Sequence, residues 1–231
     1  MLRSSTTIVA VLALGVTTLG SASASAGAAP RDVASTHKYV LANYRLARES
    51  EARTSAGQAA IVRANGKLAR ECPHVGAGSP QNGESQKMSY EVVGALWSIA
   101  YGTVAGPIDA FARAVAPLRW SNPGLTRRAR EYAKSLHELA VLPLPDLCKD
   151  VREWSASGYR TIPAQTVSFD AHAEAIEPHV VPERLLAPYL RPADRGIVRS
   201  TTRLENKLKD TETVTGFDDW DLLLGTLGVN Q

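Results

Sequence analysis

In residues 121–143, SNPGLTRRAREYAKSLHELAVLP, apolar side chains return at Leu125, Ala129, Tyr132, Leu136 and Leu139, the three-and-four-residue spacing of one helix face. Ser121-Asn122-Pro123 reads as the helix start, with Pro123 near the first helical position, where its missing N–H costs nothing. The pattern runs as far as Pro143. It predicts an amphipathic helix with one buried face.

The same period extends outward in both directions. Met88, Val92, Leu96 and Ile99, widened by Val93, Trp97 and Ala100, predict a helix at the centre of a bundle. Gly106-Pro107 interrupts it, and Ile108 to Leu118 resumes as a shorter helix. Upstream, one helix is predicted over residues 35–53 with Val40, Leu41, Tyr44 and Ala47 inward, and a second over 55–71, stopped by Pro73. Three glycines and two prolines make 73–85 a surface loop. Downstream, Pro145-Asp146 opens a helix with Leu147, Cys148, Val151 and Trp154 inward, closed by Gly158. A weaker helical segment at 166–177 and a short one at 182–190 follow. Pro192 then starts a long helix to about Thr211, with Ile197, Thr201, Leu204 and Leu208 inward. No sustained apolar/polar alternation and no strand-turn signal is present. The fold class is therefore all-α, a single-domain bundle of six to eight helices. Leu96, Trp97, Leu136, Val151 and Leu204 are expected in its core, Trp97 and Trp154 as core aromatics, and Trp120 is expected at the surface. The tail from about 213, acidic at Asp218, Asp219 and Asp221, is expected to dock loosely.

The N-terminal residues address location. Arg3, the apolar run from Ile8 to Leu19, and the small-x-small patterns Ala22-Ser23-Ala24 and Ala24-Ser25-Ala26 predict a secretory signal peptide over 1–26. A run of about 12 apolar residues falls short of the roughly 20 that span a bilayer, so the stretch is expected to be cleaved and no transmembrane anchor is predicted. The expected product is the single domain 27–231, working secreted or otherwise outside the cytoplasm. The whole chain holds 26 basic and 23 acidic residues. Loss of Arg3 leaves 25 minus 23, a net charge of +2. Such balance argues against a dedicated nucleic-acid binder, which carries a pronounced basic excess.

Cys72 and Cys148 are the only cysteines. An oxidising compartment favours a disulfide between them, and closing so long a loop stabilises by up to about 4 kcal/mol in the chain-entropy picture. Were Cys148 reduced, its place in a helix first turn would lower the thiol pKa, the route to a reactive cysteine. The structural bridge is the expectation.

Catalytic motifs are missing. There is no H-E-x-x-H zinc site and no G-x-S-x-G nucleophile elbow, and no glycine loop of the phosphate-binding kind. Glu71 and His74 have E-x-x-H spacing, but Pro73 breaks the helix between them; Pro178 likewise separates His172 from His179. No metal site and no cofactor is expected. One charge pattern stands out: Arg195, Arg199, Arg203 and Lys207, four residues apart, stack like charges along one helix ridge. Either the ridge packs beside acids such as Glu131, Glu138 or the acidic tail, or it binds an anionic envelope polymer or lipid headgroups.

The segments Glu71-Cys72-Pro73, 118–123 (LRWSNP), 145–148 (PDLC) and 188–192 (PYLRP) resemble a group of exported, Ala- and Arg-rich helical proteins of actinobacterial type without assigned function. The likeness covers most of the chain after the leader. It implies a single helical domain and the Cys72–Cys148 pair, and it implies no activity or ligand. The function expected is a non-enzymatic binding or envelope-associated module. The alternative is a secreted hydrolase with an acid/base pair that no motif reveals.

Overall fold

The structure, a computed structural model, describes residues 29–71, 102–144, 146–156 and 174–208, with Ser168, Ala171 and His172. Among these residues the chain is mostly helical and contains no strand. The helices are α1 (Pro30–Ala52), α2 (Thr54–Glu71), α3 (Ala105–Val115), α4 (Pro123–Ala140), α5 (Leu147–Ala156), the single turn α6 (Glu183–Leu186) and α7 (192–208). Short 3-10 turns lie at Glu177–His179 and Ala187–Tyr189. The leader, the predicted helix around Leu96 and Trp97, Cys72 and the acidic tail lie outside the described residues.

Helix α4 forms as its periodicity predicts. The Asn122 side chain caps it by accepting from Gly124 N at 2.9 Å and Leu125 N at 3.2 Å, and Pro123 occupies the first turn. Its face of Leu125, Ala129, Tyr132, Leu136 and Leu139 is buried. That face packs on α3, which contributes Ile108, Phe111, Ala112 and Val115, and α3 packs in turn on α1. Tyr39 meets Phe111 edge-on at 5.7 Å, Phe111 meets Tyr132 at 5.7 Å, and Tyr39 meets Trp120 at 6.4 Å. These edge-to-face contacts put ring hydrogens against ring faces and add to the burial of apolar area. Ile176, Val181 and Leu186 complete the core from the turns before α7.

Trp120 is buried, 3% exposed, and not at the surface as its turn setting suggests. The reason lies on α1. Its first turns place Asp32, Ser35 and Thr36 against residues 119–121. Trp120 Nε1 donates to Thr36 Oγ1 at 2.9 Å, Ser35 Oγ donates to Arg119 O at 2.6 Å, and Asp32 Oδ1 accepts from Ser121 N at 2.8 Å. Trp120 N donates to Thr126 Oγ1 of α4 at 2.8 Å, so α1 and α4 together meet the turn's polar groups and its indole is buried without stranding Nε1. Helix α1 accordingly begins at Pro30, earlier than the apolar pattern alone places it.

Leu136 is fully buried as predicted, whereas Leu204 is half-buried. The side chains of Val151 and Trp154, like Leu96 and Trp97, lie outside the described set. Helix α5 packs on α2, and Cys148 is buried in its first turn. No free thiol occurs among the described residues. None of the described helices is long and apolar enough to cross a membrane.

Candidate functional site: a basic helix fixed at both ends

Helix α7 begins at Pro192, and its first turn is organised by Asp194, which is fully buried. Asp194 Oδ2 accepts from Arg191 N at 3.1 Å and Arg191 Nε at 2.9 Å; Oδ1 accepts from Arg191 Nη2 at 3.0 Å and from His37 Nδ1 at 2.7 Å. The backbone contact is a capping arrangement, a third-position carboxylate reaching back to the residue before the helix. Burial alone pushes this carboxyl upward. The hydrogen bonds from Arg191 and His37 outweigh it and hold the group down at about 2, ionised at any ordinary pH. Asp194 also raises the Arg191 guanidinium above its usual value, chiefly through their side-chain hydrogen bond.

The far end is held as well. Lys207 Nζ pairs with Glu51 near the end of α1. His37 to Glu51 and Asp194 to Lys207 are nearly equal stretches, so α1 and α7 run side by side in the same direction for about 20 Å. The buried stripe of α7 is polar, comprising Asp194, Thr201 and Glu205, while Ile197, Val198, Leu204 and Leu208 are half-buried. Thr201 satisfies its hydroxyl on Ile197 O at 3.0 Å.

The ridge of Arg195, Arg199, Arg203 and Lys207 is therefore not uniform. Lys207 is engaged by Glu51, and Arg195 is half-buried with an interaction of its own. Arg199 and Arg203 are exposed and have no acidic partner among the described residues. Glu138, one of the acids expected to neutralise the ridge, is instead paired with Lys134 at 3.7 Å on its own helix. Arg191 extends the fourfold spacing by one step toward the N-terminus. Its link to Asp194 was readable, since Arg-Pro-x-Asp has the spacing of a cap; nothing in the sequence pointed to His37, 157 residues away.

A second imidazole–carboxylate pair joins α3 to α4, where His137 Nδ1 lies 2.8 Å from Asp109 Oδ1 and Arg113 reaches Asp109 Oδ2. Here the carboxylate is partly exposed and Arg113 touches it through one nitrogen. Deeper in the core the Tyr39 hydroxyl is buried without a hydrogen-bond partner among the described residues. Burial, the neighbouring Tyr132 and Glu205 push it well above the ordinary phenol range. No group of three metal-ligating side chains converges among the described residues.

No protein-family model matches the chain, and no curated protein or solved structure matches it either.

Proposed function

We propose that the protein is an exported, non-enzymatic module of the cell envelope that binds an anionic polymer or anionic lipid headgroups through the outer face of α7. The observation that carries this reading is the pair Arg199 and Arg203, exposed one turn apart on a helix clamped to α1 at both ends, with no acidic partner among the described residues. Like charges at this spacing oppose each other mildly, and an anion laid along the ridge relieves that repulsion. The clamps matter for affinity, because a ridge on a fixed helix loses little freedom on binding. Export on the 1–26 leader and a Cys72–Cys148 bridge belong to the same proposal, the bridge supported by the buried position of Cys148 and the lack of a free thiol among the described residues.

Sedimentation with anionic and with zwitterionic vesicles tests it. Each basic side chain near an anionic surface contributes about 1 kcal/mol, and exposed charges are screened beyond about 8 Å at physiological salt. The protein should pellet with anionic vesicles at low salt, come off steeply as salt rises, and ignore zwitterionic ones. Equal binding to both kinds would remove the proposal.

The hydrolase alternative has one observation in its favour, the buried Asp194 that holds His37 Nδ1 and leaves Nε2 to act as a base. No hydroxyl or thiol nucleophile bonds to that nitrogen among the described residues, so the pair fits better as a binding and positioning element.

A further inference from the structure

We propose that His37 and Arg191 form a built oxyanion site at the N-terminal end of the α7 ridge, and that its ligand is a phosphate group. The site deepens the reading of α7 as an anion-binding face and rests on it.

Asp194 is the frame. Its two oxygens accept four contacts, which fill the carboxylate, and it is sealed from solvent. It therefore acts on a ligand only through the groups it holds. His37 Nδ1 and Arg191 Nη2 bond the same oxygen, Oδ1, so the imidazole and the guanidinium stand beside each other. A neutral ring donating through Nδ1 keeps its Nε2 lone pair; a protonated ring donates through Nε2. Arg191 spends two of its N–H groups on the carboxylate side chain, leaving three of the five with no partner among the described residues. The His37 side chain is 35% exposed and that of Arg191 46%. Both side chains therefore keep part of their surface open to solvent while holding Asp194.

A planar guanidinium with spare donors next to an imidazole suits a tetrahedral oxyanion with several acceptor oxygens. The anion does not sit on the helix N-terminus itself, because Asp194 already occupies that end and Pro192 has no N–H to give. The pair His137–Asp109–Arg113 has the same residue types but lacks the build. Arg113 makes one contact rather than a fork, its side chain is 70% exposed, and the Asp109 carboxylate is partly exposed where Asp194 is sealed. Preorganisation separates the two sites.

The test is a titration of the full exported chain with inorganic phosphate against sodium chloride at matched ionic strength, following the histidine ring resonances by NMR, with His37→Gln identifying the His37 signal. The His37 signal should move saturably with phosphate while those of His137, His172 and His179 do not. In Arg191→Lys, which keeps the charge and removes the fork, the saturable movement should be lost; retained circular dichroism would show that the fold survives. Parallel shifts of His37 and His137, or an unchanged titration in Arg191→Lys, would overturn the site. Phosphatidylglycerol vesicles form the second arm. A His37 response to vesicles as well as free phosphate identifies a lipid phosphodiester as a ligand, and a response to free phosphate alone identifies the soluble anion. If neither moves His37 while the chain still pellets with anionic vesicles, this site fails and the α7 proposal stands.

Discussion

Two buried carboxylates carry opposite pH signatures. Asp194, held at about 2, is favoured ionised in the fold; its contribution is present above the ordinary Asp value near 4 and is lost as pH falls toward 2. Asp150 is raised, first by burial and then by Glu153 and Asp146, and its Oδ2 has no hydrogen-bond partner among the described residues. Its charge opposes folding at neutral pH: stability is present below the ordinary Asp value and lost as pH rises through the folded one. Thermal unfolding from pH 3 to pH 7 should therefore show Asp150→Asn more stable than the parent at pH 7, with the gain shrinking in acid. Asp194→Asn should be less stable at pH 7, with that deficit shrinking as pH falls. A gain at pH 7 for the Asp194 variant would show that its hydrogen bonds do not outweigh burial. Trp120 makes a third case at this scale. Loss of the Nε1 donor in Trp120→Phe leaves Thr36 Oγ1 inside the fold without it and should cost about 1 to 3 kcal/mol in chemical denaturation.

Among the elements, α4 was the most legible, because cap, first-turn proline and apolar stripe all point to the same helix and only packing remained to be added. Leu136→Ala should cost about 2 to 5 kcal/mol, since the side chain is fully buried in the face of α4 that packs on α3. Asn122→Ala should cost about 1 kcal/mol through loss of the cap to Gly124 and Leu125. An Asn122 variant as stable as the parent would mean that Pro123 alone fixes the helix start. The first turn of α1 and the inward face of α7 were less legible for a shared reason. Both bury polar side chains, Asp32, Ser35 and Thr36 on one and Asp194, Thr201 and Glu205 on the other, and apolar periodicity is blind to a polar face that turns inward, as where Asp32, Thr36 and Asp194 meet residues far along the chain. Leu204 was placed in the core by that same periodicity and is half-buried, because Thr201 and Glu205 take the inward positions. The basic ridge is visible as spacing; that Lys207 is held on Glu51 of α1 while Arg199 and Arg203 face solvent is contained in no local pattern.

Taken whole, the described chain is a helical body in which α1 touches nearly everything: the turn carrying Trp120, the α3–α4 layer, and α7 at both ends. If Cys72 and Cys148 are bridged as proposed, thiol titration of the unfolded, unreduced chain should find no free sulfhydryl, and two free thiols would dismiss the bridge. The claim on which the account turns is that Arg199 and Arg203 serve contact and not the fold. Reversing both to Glu and measuring co-sedimentation with anionic vesicles and thermal unfolding on the same variant addresses it most directly. Binding should be lost while the melting temperature and helicity stay at the parent's values, since both side chains are exposed and unpaired among the described residues. A lowered melting temperature with binding unchanged would contradict it and make the ridge part of the structure's internal charge balance.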